Sequence, residues 1–211
     1  MKGSVAERVG ITLICFGYPT LSSTYAVIVP GEDADYTTFA ALQMLVIELC
    51  FGGAAALVLR LRGWRRSDFG FAVTPASTVA GVGLFALLLI VCDAAYLALQ
   101  ATGALEGWAE APVTTSAIPA VYFLFLAVNS VYEEVFVTGY LIEASRASGT
   151  AFAVSLSTIV RLLYHTYQGP AALAWIVPVG LVFGAVYARY RNLWPLIAAH
   201  TVMNLYSWAV N

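Results

Sequence analysis

Apolar residues along this chain neither alternate nor recur every third or fourth position; they run. Seven stretches, at about 9–29, 38–61, 74–101, 117–142, 151–168, 170–188 and 193–209, are apolar for most of their length. A helix of roughly 20 apolar residues crosses the ~30 Å hydrocarbon core of a bilayer. Backbone groups in hydrocarbon must find partners within the segment, so each run predicts a transmembrane helix rather than a strand or loop. The connections are short and carry turn or interface residues, such as "VPGEDADY", "RLRGWRRSDFG" and "RYRNLWP". The expected fold is all-α, a polytopic membrane helical bundle of seven transmembrane helices, or eight. Three spans fall in residues 1–116 and four in 117–211, expected to form one structural unit. The first run follows Lys2 and Arg8 as a signal peptide would. It is too long for a signal h-region and no convincing small-residue cleavage site follows, so it is kept as a helix.

Composition agrees. The 211 residues are 61% hydrophobic and 10% charged, with mean hydropathy +0.82. A soluble domain carries far more surface charge, so that class is excluded. No basic run or Gly-rich phosphate loop appears, which excludes nucleic acid and nucleotides as expected partners; the lipid bilayer is the first partner. Cys15, Cys50 and Cys92 all lie in apolar runs, an odd number without ligand spacing, and are expected as buried apolar side chains. The pattern of charge specifies orientation. With the N-terminus in the cytoplasm, Lys2, Arg8, Arg60, Arg62, Arg65, Arg66, Arg146, Arg189 and Arg191 are all inside, nine of the ten basic residues. Glu32, Asp33, Asp35, Glu106 and Glu110 are outside. By the positive-inside rule the chain is N-in with seven crossings. Trp64, Trp108 and Trp194 fall at expected membrane interfaces.

Against this background a few ionisable residues stand inside the spans, each costing about 2.5–3.5 kcal/mol at mid-membrane on the insertion scale. They are Glu48, Asp93, Glu133, Glu134, Arg161, His165 and His200, joined by the polar Asn204. Asp93 lies near the outer end of its span, where water reaches it; Glu48 is deeper, with no role legible in the sequence. The other six lie on three helices of the C-terminal half. Arg161 and His165 are four apart, as are His200 and Asn204, so each pair shares a helix face. Glu133 and Glu134 differ by about 100° around the axis, which predicts different partners for the two. At about 1.5 Å per residue, Glu133, Arg161 and Asn204 reach similar depths, with the histidines about a turn to either side. The three helices can therefore bring these groups into one intramembrane cluster, helix tilt absorbing the scatter in depth.

Three short signatures in order, "EEVFVT" at 133–138, "RLLYH" at 161–165 and "HTVMN" at 200–204, resemble those of the CPBP family, the CAAX protease and bacteriocin-processing (Abi) membrane proteases. That family carries EExxxR, FxxxH and HxxxN. The contexts "EEVFVTGYL", "YHTYQG" and "LWPLIAAHTVMN" are similar as well, and the resemblance covers about 117–209. It implies an intramembrane endopeptidase in a helical bundle whose cavity opens toward the cytoplasmic side. Glu133 would be the catalytic carboxylate, His165 would help it hold water, and His200 and Asn204 would bind the oxyanion. No metal or other cofactor is expected. Zinc held by Glu133, His165 and His200 is the alternative; the ligand types suit it, but no short helical zinc motif such as HExxH is present.

Two positions depart from the family pattern. Thr138 stands where EExxxR has arginine, and Arg161 stands where FxxxH has phenylalanine. Thr138 is four residues after Glu134, so a family arginine there would pair with Glu134; Arg161 is expected to supply that charge from the next helix, with Glu134 and Arg161 as supporting residues. The rival readings are a catalytically silent membrane scaffold or immunity protein and a proton-coupled transporter. No repeat or paired broken helices of the transporter kind is visible. The aromatics of "VYFLFL" and Tyr164 and Tyr167 read as packing. The expected substrate is a membrane-associated peptide or protein entering from the membrane or the cytoplasmic side. Nine Arg to one Lys and frequent Ala point to a prokaryote, hence its plasma (inner) membrane. No pattern specifies an oligomeric state.

Overall fold

In the computed structural model, residues 2–29, 35–106 and 114–210 are described. Glu32, Asp33, Trp108 and Glu110 lie outside them. Among the described residues, seven helical passes form one bundle: α1 (Val5–Ile28), α2 (Thr38–Leu61), α4 (Pro75–Ala101), a composite pass, α7 (Thr150–Leu163), α8 (Ala171–Tyr190) and α9 (Trp194–Val210). A single turn, α3 (Arg66–Phe69), links α2 to α4. The composite pass joins α5 (Pro119–Glu133), a π-helical segment (Glu134–Tyr140) and α6 (Leu141–Ser145). The short strands β1 (Asp35–Tyr36) and β2 (Thr114–Thr115) pair in parallel between passes. The helices start where the sequence supplies caps. The Ser4, Thr37 and Thr74 hydroxyls accept from backbone N–H groups in the first turns of α1, α2 and α4, and Pro75 occupies a first-turn position that needs no donor.

Five of the passes are long and apolar enough to span a bilayer alone. Large apolar side chains such as Leu13, Leu21, Phe39, Leu61 and Ile90 remain exposed around the bundle, as lipid-facing helices require. The expected span 151–168 is corrected: α7 stops at Leu163 after 14 residues and a 3₁₀ turn, Thr166–Gln168, follows. Fourteen residues rise only about 21 Å, short of the hydrocarbon thickness. Cys15 and Cys92 are buried as expected, whereas Cys50 is exposed.

Two buried clusters flank the π-helical segment. One joins Ile11, Phe16, Tyr132, Phe136, Tyr140 and Tyr164. The other joins Leu88, Ile142, Phe183, Tyr187, Leu193 and Leu196. The α7–α8 contact depends on small residues: a Cβ at Gly180 would lie 2.8 Å from Thr158 Cγ2, and one at Gly184 2.8 Å from Val154 Cγ1. This glycine pair, four apart, lets the two helices approach closely. The end of the bundle that gathers the basic residues is knitted by polar side chains. Lys2 pairs with Asp68 at 2.8 Å, Arg62 with Glu7 at 2.9 Å and Arg191 with Glu143 at 2.7 Å. Arg8 donates to Ser145 at 3.1 Å.

Candidate active site

The composite pass brings two acids to the centre of the bundle: Glu133 ends α5 and Glu134 opens the π-helical turn. Both are buried, Glu134 at 0% exposure. Arg161, near the end of α7, reaches both. Its Nη1 donates to Glu133 Oε2 at 2.9 Å and its Nη2 to Glu134 Oε1 at 2.8 Å. The expectation of separate partners is therefore corrected. A flat guanidinium offers donors in a fixed fork, wide enough to bridge neighbouring carboxylates on a widened helical turn. The π-helical segment is held open from outside: the Ser157 hydroxyl donates to Val137 O at 2.6 Å. Such segments are frequent at functional sites.

Thr138 completes the exchange suggested by the two departures. Its hydroxyl donates to Glu134 Oε2 at 2.7 Å and accepts from Arg161 Nη2 at 3.1 Å. The guanidinium thus lies beside residue 138, arriving from α7, and rests 5.9 Å from the Phe183 ring. His200 Nδ1 is 2.8 Å from Glu134 Oε1. Asn204 donates to Ser130 at 3.2 Å, one turn from the acids. His165 follows the end of α7 rather than sharing its face with Arg161, yet its Nε2 is 3.9 Å from Glu133 Oε2. All six expected residues therefore converge, while Asp93 is exposed on α4, away from the cluster.

Three residues with no expected part in the site join it. Tyr164, assigned to packing on sequence, donates to Glu133 Oε2 at 2.7 Å. Asn129 donates to Glu133 Oε1 at 3.2 Å and to Glu48 Oε1 at 2.7 Å, tying α2 to α5. The signal for Asn129 was its place four residues before Glu133, on the same face. Glu48 is itself buried, and its Oε2 has no hydrogen-bond partner among the described residues.

Part of the cluster, Glu133, His165, His200 and Asn204 with Asn129, Tyr164 and Glu48, lines a cavity of about 440 Å³. Glu133, Tyr132, Tyr164 and His200 are buried at its base, whereas Tyr18, Ser22, Ala26, Tyr167, Gln168 and Ser207 are exposed at its rim. The rim residues follow the midpoint of α1, follow the end of α7 or lie near the end of α9. The cavity therefore opens in the half of the bundle away from the basic end. An N-in orientation and a cavity open to the cytoplasm, both expected from the sequence, exclude one another in this fold.

One ligand atom each from Glu133, Glu134 and His200 lie within 4.8 Å of one another, a spacing that suits a metal ion. The two carboxylates, however, already hold the Arg161 guanidinium in direct hydrogen bonds. A divalent ion there would oppose that charge at contact range, so the donor set fits a guanidinium rather than zinc.

Residues 115–206 match the family model of type II CAAX prenyl endopeptidase Rce1-like proteins, over the same stretch as the three signatures. No curated protein and no solved structure matches the chain.

Proposed function

We propose that this chain, which belongs through residues 115–206 to the CAAX protease (CPBP) family, is a metal-independent glutamate endopeptidase of the membrane. The observation that carries the reading is a buried carboxylate facing a cavity, fixed by three neighbours and with capacity left to act. Arg161 and Tyr164 occupy Glu133 Oε2, while among the described residues Oε1 receives only Asn129. Glu133 takes a proton from a water held between it and His165, and the water oxygen attacks the scissile carbonyl carbon. The tetrahedral oxyanion is received by His200 and Asn204. Because His200 Nδ1 faces Glu134, donation from Nε2 calls for the imidazolium. Glu133 and Glu134 exceed Arg161 by one negative charge, which that imidazolium balances. Glu133 then passes its proton to the leaving nitrogen as the C–N bond breaks. Fixed oxyanion donors are each worth about 100–1000-fold in rate. Glu134, braced by Arg161, Thr138 and His200, stays a positioning group. The protein resides in a prokaryotic plasma membrane with its N-terminus in the cytoplasm, and its substrate is a membrane-associated peptide or protein.

The test is cleavage of a library of membrane peptides by purified protein. Glu133→Gln and His200→Ala are expected to lose cleavage while remaining folded, and a chelator is expected to leave the wild type unaffected. Undiminished cleavage by Glu133→Gln would overturn the assignment.

A further inference from the structure

We infer that the catalytic floor is reached from the extracytoplasmic half of the membrane. Between the acids and the basic end, Phe136, Val137, Tyr140 and Leu141 are all buried, with the Glu7–Arg62 pair beyond them. That side is closed among the described residues. The exposed rim lies on the other side, where α7 ends early. Nine of the ten basic residues lie at the closed end or in its connections, and a bias of that strength places an end in the cytoplasm. The substrate is then a membrane-held peptide whose scissile bond lies in the outer half of the bilayer, one that has already been exported or inserted. This deepens the protease reading and rests on it for the word substrate, but the direction of access is measured without activity.

Gln168, exposed on the rim, is replaced by cysteine in a Cys50→Ser background, Cys15 and Cys92 being buried. Lys2→Cys in the same background reports the basic end. A membrane-impermeant maleimide added to intact cells is expected to label Gln168→Cys and to leave Lys2→Cys unlabelled until the membranes are opened. Labelling of Gln168→Cys only after opening, or not at all in the solubilised protein, overturns the inference. Loss of the protease reading would instead show as Glu133→Gln retaining cleavage, whichever side labels.

Discussion

Glu7 and Glu133 are both buried carboxylates ringed by donors, and they differ in what surrounds them. Glu7, at the basic end, accepts from Gly3 N, Trp64 Nε1 and Tyr140 on Oε1 and from Arg62 on Oε2. The groove beside it is lined by Ile11, Ile14 and Val58 and presents no imidazole or amide. Glu133 is held as firmly through Oε2, but it lines a cavity that also presents His165, His200 and Asn204. Burial and hydrogen bonding are thus common to a knot and to a candidate site. What separates them is the company: the cavity beside Glu133 gathers two imidazoles and an amide, and the groove beside Glu7 has neither.

Substitution at the two acids breaks the comparison most sharply. Glu133→Gln is expected to lower cleavage by at least about 1000-fold, the scale on which acid–base groups act. Glu7→Gln is expected to leave the turnover number within about twofold, measured on the same peptide. Removing the shared cation comes next. Arg161→Phe takes the shared guanidinium from two buried carboxylates and is expected to destabilise the protein by about 3–5 kcal/mol. Thr138→Arg on that background is expected to restore stability and cleavage, since residue 138 already touches the guanidinium position. No recovery in the double variant would count against the exchange of charge between these positions. Glu7→Gln itself strips the charge from a carboxylate hydrogen-bonded to Arg62 and is expected to cost about 1–3 kcal/mol by chemical unfolding.

The smallest effect is expected at the exposed edge of the basic end. The Lys2 ammonium, bonded to Asp68, holds that carboxyl below its ordinary range. A lowered folded value means that the contribution is present above the ordinary carboxylate range and is lost as pH falls through the folded value. Asp68→Asn is therefore expected to cost well under about 1 kcal/mol near neutral pH. The difference from wild type is expected to vanish in acid.

Much of this arrangement is legible in the sequence, for reasons that particular residues make plain. Long apolar runs specify helical passes because hydrocarbon offers the backbone no other partner, and ionisable residues inside them stand out by their cost. The end of α7 was not legible. "LLYHTYQ" stays apolar and aromatic past Leu163, and Gly169–Pro170, the nearest breaking signal, comes six residues later. His165 was consequently expected on the helix face of Arg161 rather than in the turn beyond it. The common partner of Glu133 and Glu134 was hidden as well, because the widened turn accompanies contacts from distant helices, Ser157 on Val137 O and Leu193 against Gly139. Asn129 gives no signal beyond its place four residues before Glu133, and Glu7, an acid near a span end, reads as an interfacial one.

The early stop of α7 has a consequence for the lipid. A pass of about 21 Å set in a core of about 30 Å is mismatched by several ångströms, and a bilayer meets such a deficit by thinning locally. The thinning falls beside the 3₁₀ turn that carries Tyr167 and Gln168, both on the cavity rim. Headgroups and water drawn inward there would shorten the distance between the aqueous phase and the buried acids. By that reasoning a helix that ends early would shape the surrounding membrane as well as the interior of the protein, with a dimple over the cavity mouth.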